Sequence, residues 1–289
     1  LPELLPFIMQ TERFHEHSIK QSKGSVNPYV NFSDLAWFEF ALPPLEEQKK
    51  LLRLFYRFDA NNEYLHIAVN KALSLELAWL KDVFETPNFS NFKIAKLSDL
   101  LEKPIESGVS APPTANETGY WVLALNALSE VGYISGQLKP VKPTEIMRSA
   151  VLKRGDLLIS RSNTLDRVGF IGIYNGEHEG SVSFPDTMMR LVCRSDLVLT
   201  KYLELYMQSL TARRQIVSIA AGTSASMKKI NKTNLGKISV LLPSFDIQEK
   251  FIANRKQIIN GRMALKERLK QSRKQYFMFI NHMMSSNLV

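Results

Sequence analysis

A chain of 289 residues with 37 Lys and Arg against 28 Asp and Glu is basic enough to favour polyanionic partners, and its 45% hydrophobic content is ample for a folded core. No apolar run approaches the roughly 18 residues needed to span a bilayer, so no membrane partner is expected. Cys193, the sole cysteine, excludes an internal disulfide framework and a cysteine-built metal site and suits a reducing cytoplasm.

In chain order, the first informative passage is Val30-Asn31-Phe32-Ser33-Asp34-Leu35 with Leu42-Pro43-Pro44-Leu45-Glu46-Glu47-Gln48. It returns 200 positions later as Ile230-Asn231-Lys232-Thr233-Asn234-Leu235 with Leu242-Pro243-Ser244-Phe245-Asp246-Ile247-Gln248. Solenoid repeats run roughly 20 to 50 residues, so a period this long signals a duplicated domain plus connector. The expectation is one complete unit preceded by the tail of another, with Leu1 lying inside that earlier unit.

Each copy leads into a long helix. In the first, Leu51, Phe55, Phe58, Leu65, Val69, Ala72, Trp79 and Val83 fill a heptad seam broken by Asn62 and Glu76. In the second, Phe251, Ile258, Leu265, Leu269, Tyr276, Phe279 and Met283 fill the same frame, broken by Arg255, Arg262 and Ser272. Alternating steps of four and three place such residues on one stripe that must bury against a partner helix, and the two helices are each other's obvious partners. Residues 246–289 hold nine basic residues against three acidic ones, whereas 46–85 hold six against seven, so the helices attract when paired. Gly261 costs about 1 kcal/mol without forbidding the helix. Forty helical residues make a rod of about 60 Å, which can separate two DNA-reading modules by one or more duplex turns of about 34–36 Å. A hairpin that merely stiffens one domain is the plainer alternative.

Between the helices, strands are expected at Tyr120–Leu125, Val131–Ile134, Asp156–Ser160, Val168–Tyr174 and Thr187–Cys193, and a helix over Lys201–Val217 after Thr200 as N-cap. The expected fold class is α+β, a module of mixed strands and helices flanked by two long helices in an antiparallel coiled coil. Its expected divisions are residues 1–45 (tail of a preceding domain), 46–88 (spacer helix), 91–245 (complete module) and 246–289 (second spacer helix).

The duplicated Leu-Pro-Pro-Leu-x-Glu-Gln passage, each copy preceded by a Gly-Ser/Thr element (Gly24-Ser25 and Gly222-Thr223) and an Ile-Asn or Val-Asn turn, resembles the specificity subunit of type I restriction-modification systems. Leu152-Lys153-Arg154-Gly155-Asp156 through Ser160, then Val168-Gly169, is similar to that family too. Ser244 and Ile247 depart from its pattern while the helix start is kept.

The resemblance implies two target-recognition domains alternating with long helices and a noncatalytic role in reading half of a bipartite site on double-stranded DNA. It further implies docking of modification subunits that bring S-adenosylmethionine, and through them of restriction subunits that use ATP, with no cofactor bound by this chain. If the natural chain begins near Leu1, a homodimer could read a symmetric site.

DNA reading needs paired hydrogen-bonding groups for base edges and cations for phosphates. Three segments supply candidates: Arg161, Ser162, Asn163 and Arg167 after a strand; Thr223, Ser226, Lys228 and Lys229 in the Gly222 loop; and Lys139, Lys142 and Arg148 in a basic, proline-stiffened stretch. A surface loop with Asp166 paired to an arginine, an ordinary connecting loop and a solvated linker are the respective plain alternatives. Asn27-Pro28-Tyr29 is similar to the Asn-Pro-Pro-Tyr motif of adenine methyltransferases but lacks its second proline, and no glycine-rich cofactor loop accompanies it. His15 and His17 stand close together while His66, His178 and His282 are scattered, which gives a metal site little support. A stand-alone methyltransferase and a DNA-binding scaffold without base readout remain the alternative functions.

Overall fold

The computed structural model describes residues 1–85, 92–222 and 227–285. It divides into two compact units, one built from Leu1–Ser74 with Ile258–Val289 and the other from Leu75–Gln257.

The first unit opens with short helices α1 (Leu5–Ile8), α2 (Glu12–Gln21) and α3 (Phe32–Leu35), followed by α4 (Leu45–Asp82), which runs on into the second unit. There follow β1 (Lys93–Lys96), β2 (Glu106–Ser107), β3 (Trp121–Leu123), β4 (Leu128–Ser129), β5 (Gly132–Tyr133), β6 (Leu138–Pro140), β7 (Leu157–Ser160), β8 (Ser162–Asn163), β9 (Ile171–Ile173), β10 (Val182–Ser183) and β11 (Met188–Leu191). Helices α5 (Thr200–Gln208) and α6 (Leu210–Ile219) come next, then β12 (Lys228–Lys229), α7 (Lys232–Gly236), β13 (Ser239–Leu242) and α8 (Phe245–Ser285), which returns to the first unit.

The α+β class and the antiparallel pairing of the long helices hold. In the first unit Phe55 meets Phe279 at 5.9 Å and Phe58 meets Tyr276 at 5.5 Å between ring centroids. Asn61 Nδ2 donates to Ser272 Oγ at 2.9 Å, and Leu65 and Val69 pack on Leu269. Numbers that rise on α4 fall on α8, as an antiparallel heptad seam requires. In the second unit the same seam brings Phe84 to Phe251, 5.3 Å between centroids, and Glu76 to within 3.7 Å of Arg255. Glu76 is fully buried and Arg255 only 7% exposed, so two of the seam's apparent faults form an ion pair, and Arg255 Nη2 also donates to the Val131 carbonyl at 3.0 Å.

The second unit centres on the antiparallel sheet β2-β11-β7-β9. All four residues of β7 are buried, with Leu157 and Ile159 in one apolar cluster and Leu158 in another, because alternate side chains of a strand face opposite sides. Arg190 on β11 ties this sheet together: its Nε donates to Glu106 Oε2 at 2.7 Å and its Nη1 to Asp156 Oδ2 at 2.9 Å. Asp156 also accepts the Lys153 amide at 3.0 Å, the local turn expected of a carboxylate before a strand. A second sheet has the order β10-β3-β6, and β1 pairs antiparallel with β13 in the register Lys93↔Leu242 to Lys96↔Ser239.

The helix expected over Lys201–Val217 is two helices. Ser209 breaks it and caps α6, accepting the Ala212 amide on its hydroxyl at 3.3 Å, and Thr200 is the first residue of α5 rather than its cap. The strand expected over Val168–Tyr174 begins at Ile171, because Val168 and Gly169 belong to a turn that carries Gly169 at φ +76°.

The duplication reaches further back than the recurring residues reveal. In the first unit, α1, a break capped by Thr11 and the ten-residue α2 repeat the order of α5, Ser209 and the ten-residue α6. A loop then follows in each, closed by the bridge Lys23↔Tyr29 in one and Ala221↔Lys229 in the other, so the second loop is longer by two residues. Both loops open on a glycine at positive φ, Gly24 at +91° and Gly222 at +139°, where a Cβ would meet a carbonyl oxygen at 2.9 Å. Asn31 and Asn231 then stand at the N-caps of α3 and α7.

The shared glutamine explains its own recurrence. Gln48 Nε2 donates to the Pro43 carbonyl at 2.7 Å while its Oε1 accepts the backbone nitrogen of Leu1 at 2.5 Å. Gln248 Nε2 donates to Pro243 at 3.0 Å while its Oε1 accepts the Leu199 amide at 2.9 Å. Each buried amide latches the start of a long helix to the strand of chain that leads into the preceding helix pair.

Candidate nucleic-acid interface

The sequence nominates Arg161 to Arg167 and Thr223 to Lys229 as separate loops, and the fold joins them. β8 and β12 pair antiparallel, with Lys228 opposite Asn163 and Lys229 opposite Ser162, and the Ile230 amide donates to the Arg161 carbonyl at 3.0 Å. The Arg161 and Ser162 amides both donate to the Thr187 carbonyl, at 2.8 and 3.2 Å, which seats the ribbon against the end of β11.

Side-chain placement sorts the candidates. Arg167 is exposed, its Nε 3.6 Å from Asp166 Oδ2, and Lys229 is exposed as well. Lys228 is half-buried and donates to the Gly222 carbonyl at 2.6 Å. Asn163 accepts the Thr164 amide on Oδ1 at 2.9 Å. Ser162 is only 4% exposed, so its hydroxyl faces the protein interior and offers little to a groove. Arg161 is half-buried, and its Nε is enclosed without a hydrogen-bond partner among the described residues. Thr223 and Ser226 lie outside the described residues.

The third basic segment is no linker. Lys139 sits in β6 opposite Val122, Lys142 follows exposed, and Arg148 lies in a 3-10 turn, 3.3 Å from Glu145. Of the three only Lys139 belongs to the β10-β3-β6 sheet, and that sheet shares no strand pairing with the ribbon.

One residue that sequence reading missed holds the loop in shape. Arg213, on α6, donates from Nη1 to the Val168 carbonyl at 2.5 Å and from Nη2 to the Asp166 carbonyl at 3.1 Å, with its guanidinium 5.2 Å from the Phe170 ring centre. Nothing in the local pattern of α6 distinguishes it from the neighbouring Arg214, which pairs with Glu85 instead. Thr164 foremost, then the Asp166 backbone, with Arg167 and Arg213 adding their charge, hold the Asp166 carboxyl below the usual carboxylate range. Beside the loop opens a cleft of about 510 Å³ lined by Asn126, Glu130, Asn163, Asp166, Arg167 and Phe170 among others.

The two copies differ in surface chemistry at matched positions. Where the second exposes Lys229, Lys232 and Lys237, the first exposes Tyr29, Phe32 and Trp37, the last two more than 80% accessible. Asn27-Pro28-Tyr29 forms the end of the loop closed on Lys23. Among the described residues no cluster of three His, Cys, Asp or Glu could hold a metal ion, and no helix is long and apolar enough to cross a membrane.

Residues 4–75 match the family described as the type I restriction modification DNA specificity domain. Over 280 residues the chain is 24% identical to the type I restriction enzyme EcoKI specificity subunit of Escherichia coli K12, covering 89% of this chain and 60% of that protein. It is 22% identical over 166 residues to the putative MjaX specificity subunit of Methanocaldococcus jannaschii, covering 55% of this chain and 37% of that one. The chain thus spans about 60% of the length of the first of these relatives and less of the second.

In fold, it is similar over 99% of its length to a chain from a structural study of assembly and conformational transition in the type I R-M system, at a TM-score of 0.65, 20% identity and 70% coverage of that chain. The HsdS subunit from Thermoanaerobacter tengcongensis is likewise similar, at a TM-score of 0.53, 19% identity and 69% coverage. The domain match covers the first copy of the duplicated passage, and over most of its length the chain is similar in sequence, and in fold, to specificity subunits of type I restriction-modification systems.

Proposed function

We propose that this chain is a noncatalytic DNA-recognition component in which the module of residues 91–245 reads one half of a bipartite site. The observation that carries the reading is the β8–β12 ribbon. It gathers Asn163, Lys228 and Lys229 from segments 65 residues apart, with Arg167 on the adjoining turn, into one polar and basic surface on a backbone fixed by strand pairing. Arginine and asparagine offer the paired hydrogen bonds that distinguish guanine and adenine, and lysines neutralise phosphates without reading sequence.

Residues 1–45 then belong to a second recognition domain, and α4 with α8 are spacers. The helices and the neighbouring surface dock modification subunits carrying S-adenosylmethionine, and through them ATP-using restriction subunits, in the cytoplasm. A homodimer reading a symmetric site is the corresponding arrangement for a half-length subunit.

The test compares Arg167→Ala and Lys229→Ala on a panel of duplexes across a salt series. Loss of preference at one base pair with Arg167→Ala, and a uniform weakening with a shallower salt slope for Lys229→Ala, are the expected results. Uniform weakening by both would favour a scaffold without base readout. For docking, light scattering of the chain mixed with the modification subunit encoded nearest to it should give a stable complex, and separate species under conditions where both are folded would refute that part.

A further inference from the structure

The cleft beside the recognition turn has a second wall, and it carries polar chemistry that neither the sequence motifs nor the ribbon account for. After β3 the chain makes a 3-10 turn, Leu125–Ala127, pinned by the buried Ala127 and Leu128. Asn126 stands exposed in this turn and lines the same cleft as Asn163 and Arg167. Its Nδ2 donates to Gln137 Oε1 at 2.5 Å.

This amide pair is not what closes the β3–β6 ribbon. The backbone does so already, through Ala124 N to the Gln137 carbonyl at 2.8 Å and Ile134 N to the Ala127 carbonyl at 2.9 Å. The side-chain bond instead fixes the plane of the Asn126 carboxamide while using one of its two N–H groups. With Asn126 as the donor, its carbonyl oxygen and second N–H remain for another partner. That acceptor–donor edge matches the exocyclic amine and N7 of adenine in the major groove. Asp166 and Glu130 line the same cleft, and their carboxylates oppose a phosphate there while leaving a base edge acceptable.

Resting on the DNA-recognition reading above, we propose that Asn126 is a base-reading residue for an adenine-type edge and that Gln137 is its positioning residue.

The experiment selects bound duplexes from a randomised DNA library with the full chain, alone and with its modification subunit, for wild type, Asn126→Ala, Gln137→Ala, Gln137→Glu and Arg167→Ala. The expected result is that Asn126→Ala loses roughly ten- to hundredfold discrimination at one base pair, distinct from the position affected by Arg167→Ala, with an unchanged salt slope and melting temperature. Gln137→Ala should blur the same position more weakly. Gln137→Glu should restore it, because a carboxylate still accepts the Asn126 N–H. If Asn126→Ala leaves the selected sequence intact, or weakens all sequences equally, while Arg167→Ala alters it, the assignment of Asn126 fails and the recognition reading stands. If wild type selects no sequence at all, both fail.

Discussion

Replacing Arg255 by methionine leaves the fully buried Glu76 without the guanidinium 3.7 Å away and removes the bond to the Val131 carbonyl. At an effective dielectric of about 20, two unit charges at that separation attract by about 4.5 kcal/mol. The desolvation of the two ions offsets most of this while both are present, but without the guanidinium the Glu76 carboxylate keeps its burial penalty and loses that compensation. The single change should therefore cost about 3–5 kcal/mol, whereas Glu76→Met with Arg255→Met, two apolar side chains at seam positions, should recover most of the loss or exceed wild type. Because the chain forms two units, one global midpoint is not well defined. Native-state hydrogen exchange of the buried β7 amides in urea isolates the unit that holds the pair. A single-mutant loss below about 1 kcal/mol, or a double mutant no better than the single, would refute the view that these two seam faults are a compensated pair.

Other consequences are as direct. Gln248→Ala, which strips the acceptor from the Leu199 amide and the donor from the Pro243 carbonyl, should lower stability by about 1–3 kcal/mol in denaturant, and Gln48→Ala should act with the same sign in the other unit. Gly169→Ala forces an L side chain to φ +76° with its Cβ 2.4 Å from Ile216 Cγ2, so a cost of about 2–5 kcal/mol is expected, read by native-state hydrogen exchange of the same β7 amides. Burial pushes the Glu204 carboxyl up, against the pull of Arg255 and the Ile173 amide. Its folded form thus keeps a proton that the unfolded chain has released. The associated stability is present below the ordinary glutamate range and is lost as pH rises through the folded value. Glu204→Gln should flatten that decline, and a stability–pH profile indistinguishable from wild type would count against it.

The features readable from the sequence were those that short-range rules govern. The heptad frame located the facing residues of α4 and α8, and the recurrence of Gln48 as Gln248 marked a position that the latch geometry now explains. Gly24 and Gly222 stand 198 residues apart whereas the passages after them stand 200 apart, and the difference of two is the longer loop closed by Ala221 and Lys229. What escaped depended on partners far along the chain. Glu76 and Arg255 looked like interruptions because a seam read one helix at a time cannot reveal that its faults face each other. Lys201–Val217 read as one helix because Tyr202, Leu205, Tyr206 and Leu210 keep helical spacing across Ser209, a residue type that caps as readily as it continues. Helices α1 and α2 share an order of elements with α5 and α6 but little spelling, so the longer duplication was invisible without backbone. No local signal could give the β8–β12 register or single out Arg213 from Arg214.

That register carries a kinetic consequence. Asn163 and Lys228 meet across 65 residues, so their ribbon closes a long loop that contains β9 to α6, and that closure carries an entropic cost. Contacts of such sequence separation are slow to form, and two residue pairs contribute too little to nucleate anything by themselves. The ribbon is thus held by the folded segment between its strands rather than by residues next to it in sequence. A chain in which the segment from β9 to α6 is not in place keeps Asn163, Lys228 and Lys229 but has nothing to hold them in one surface.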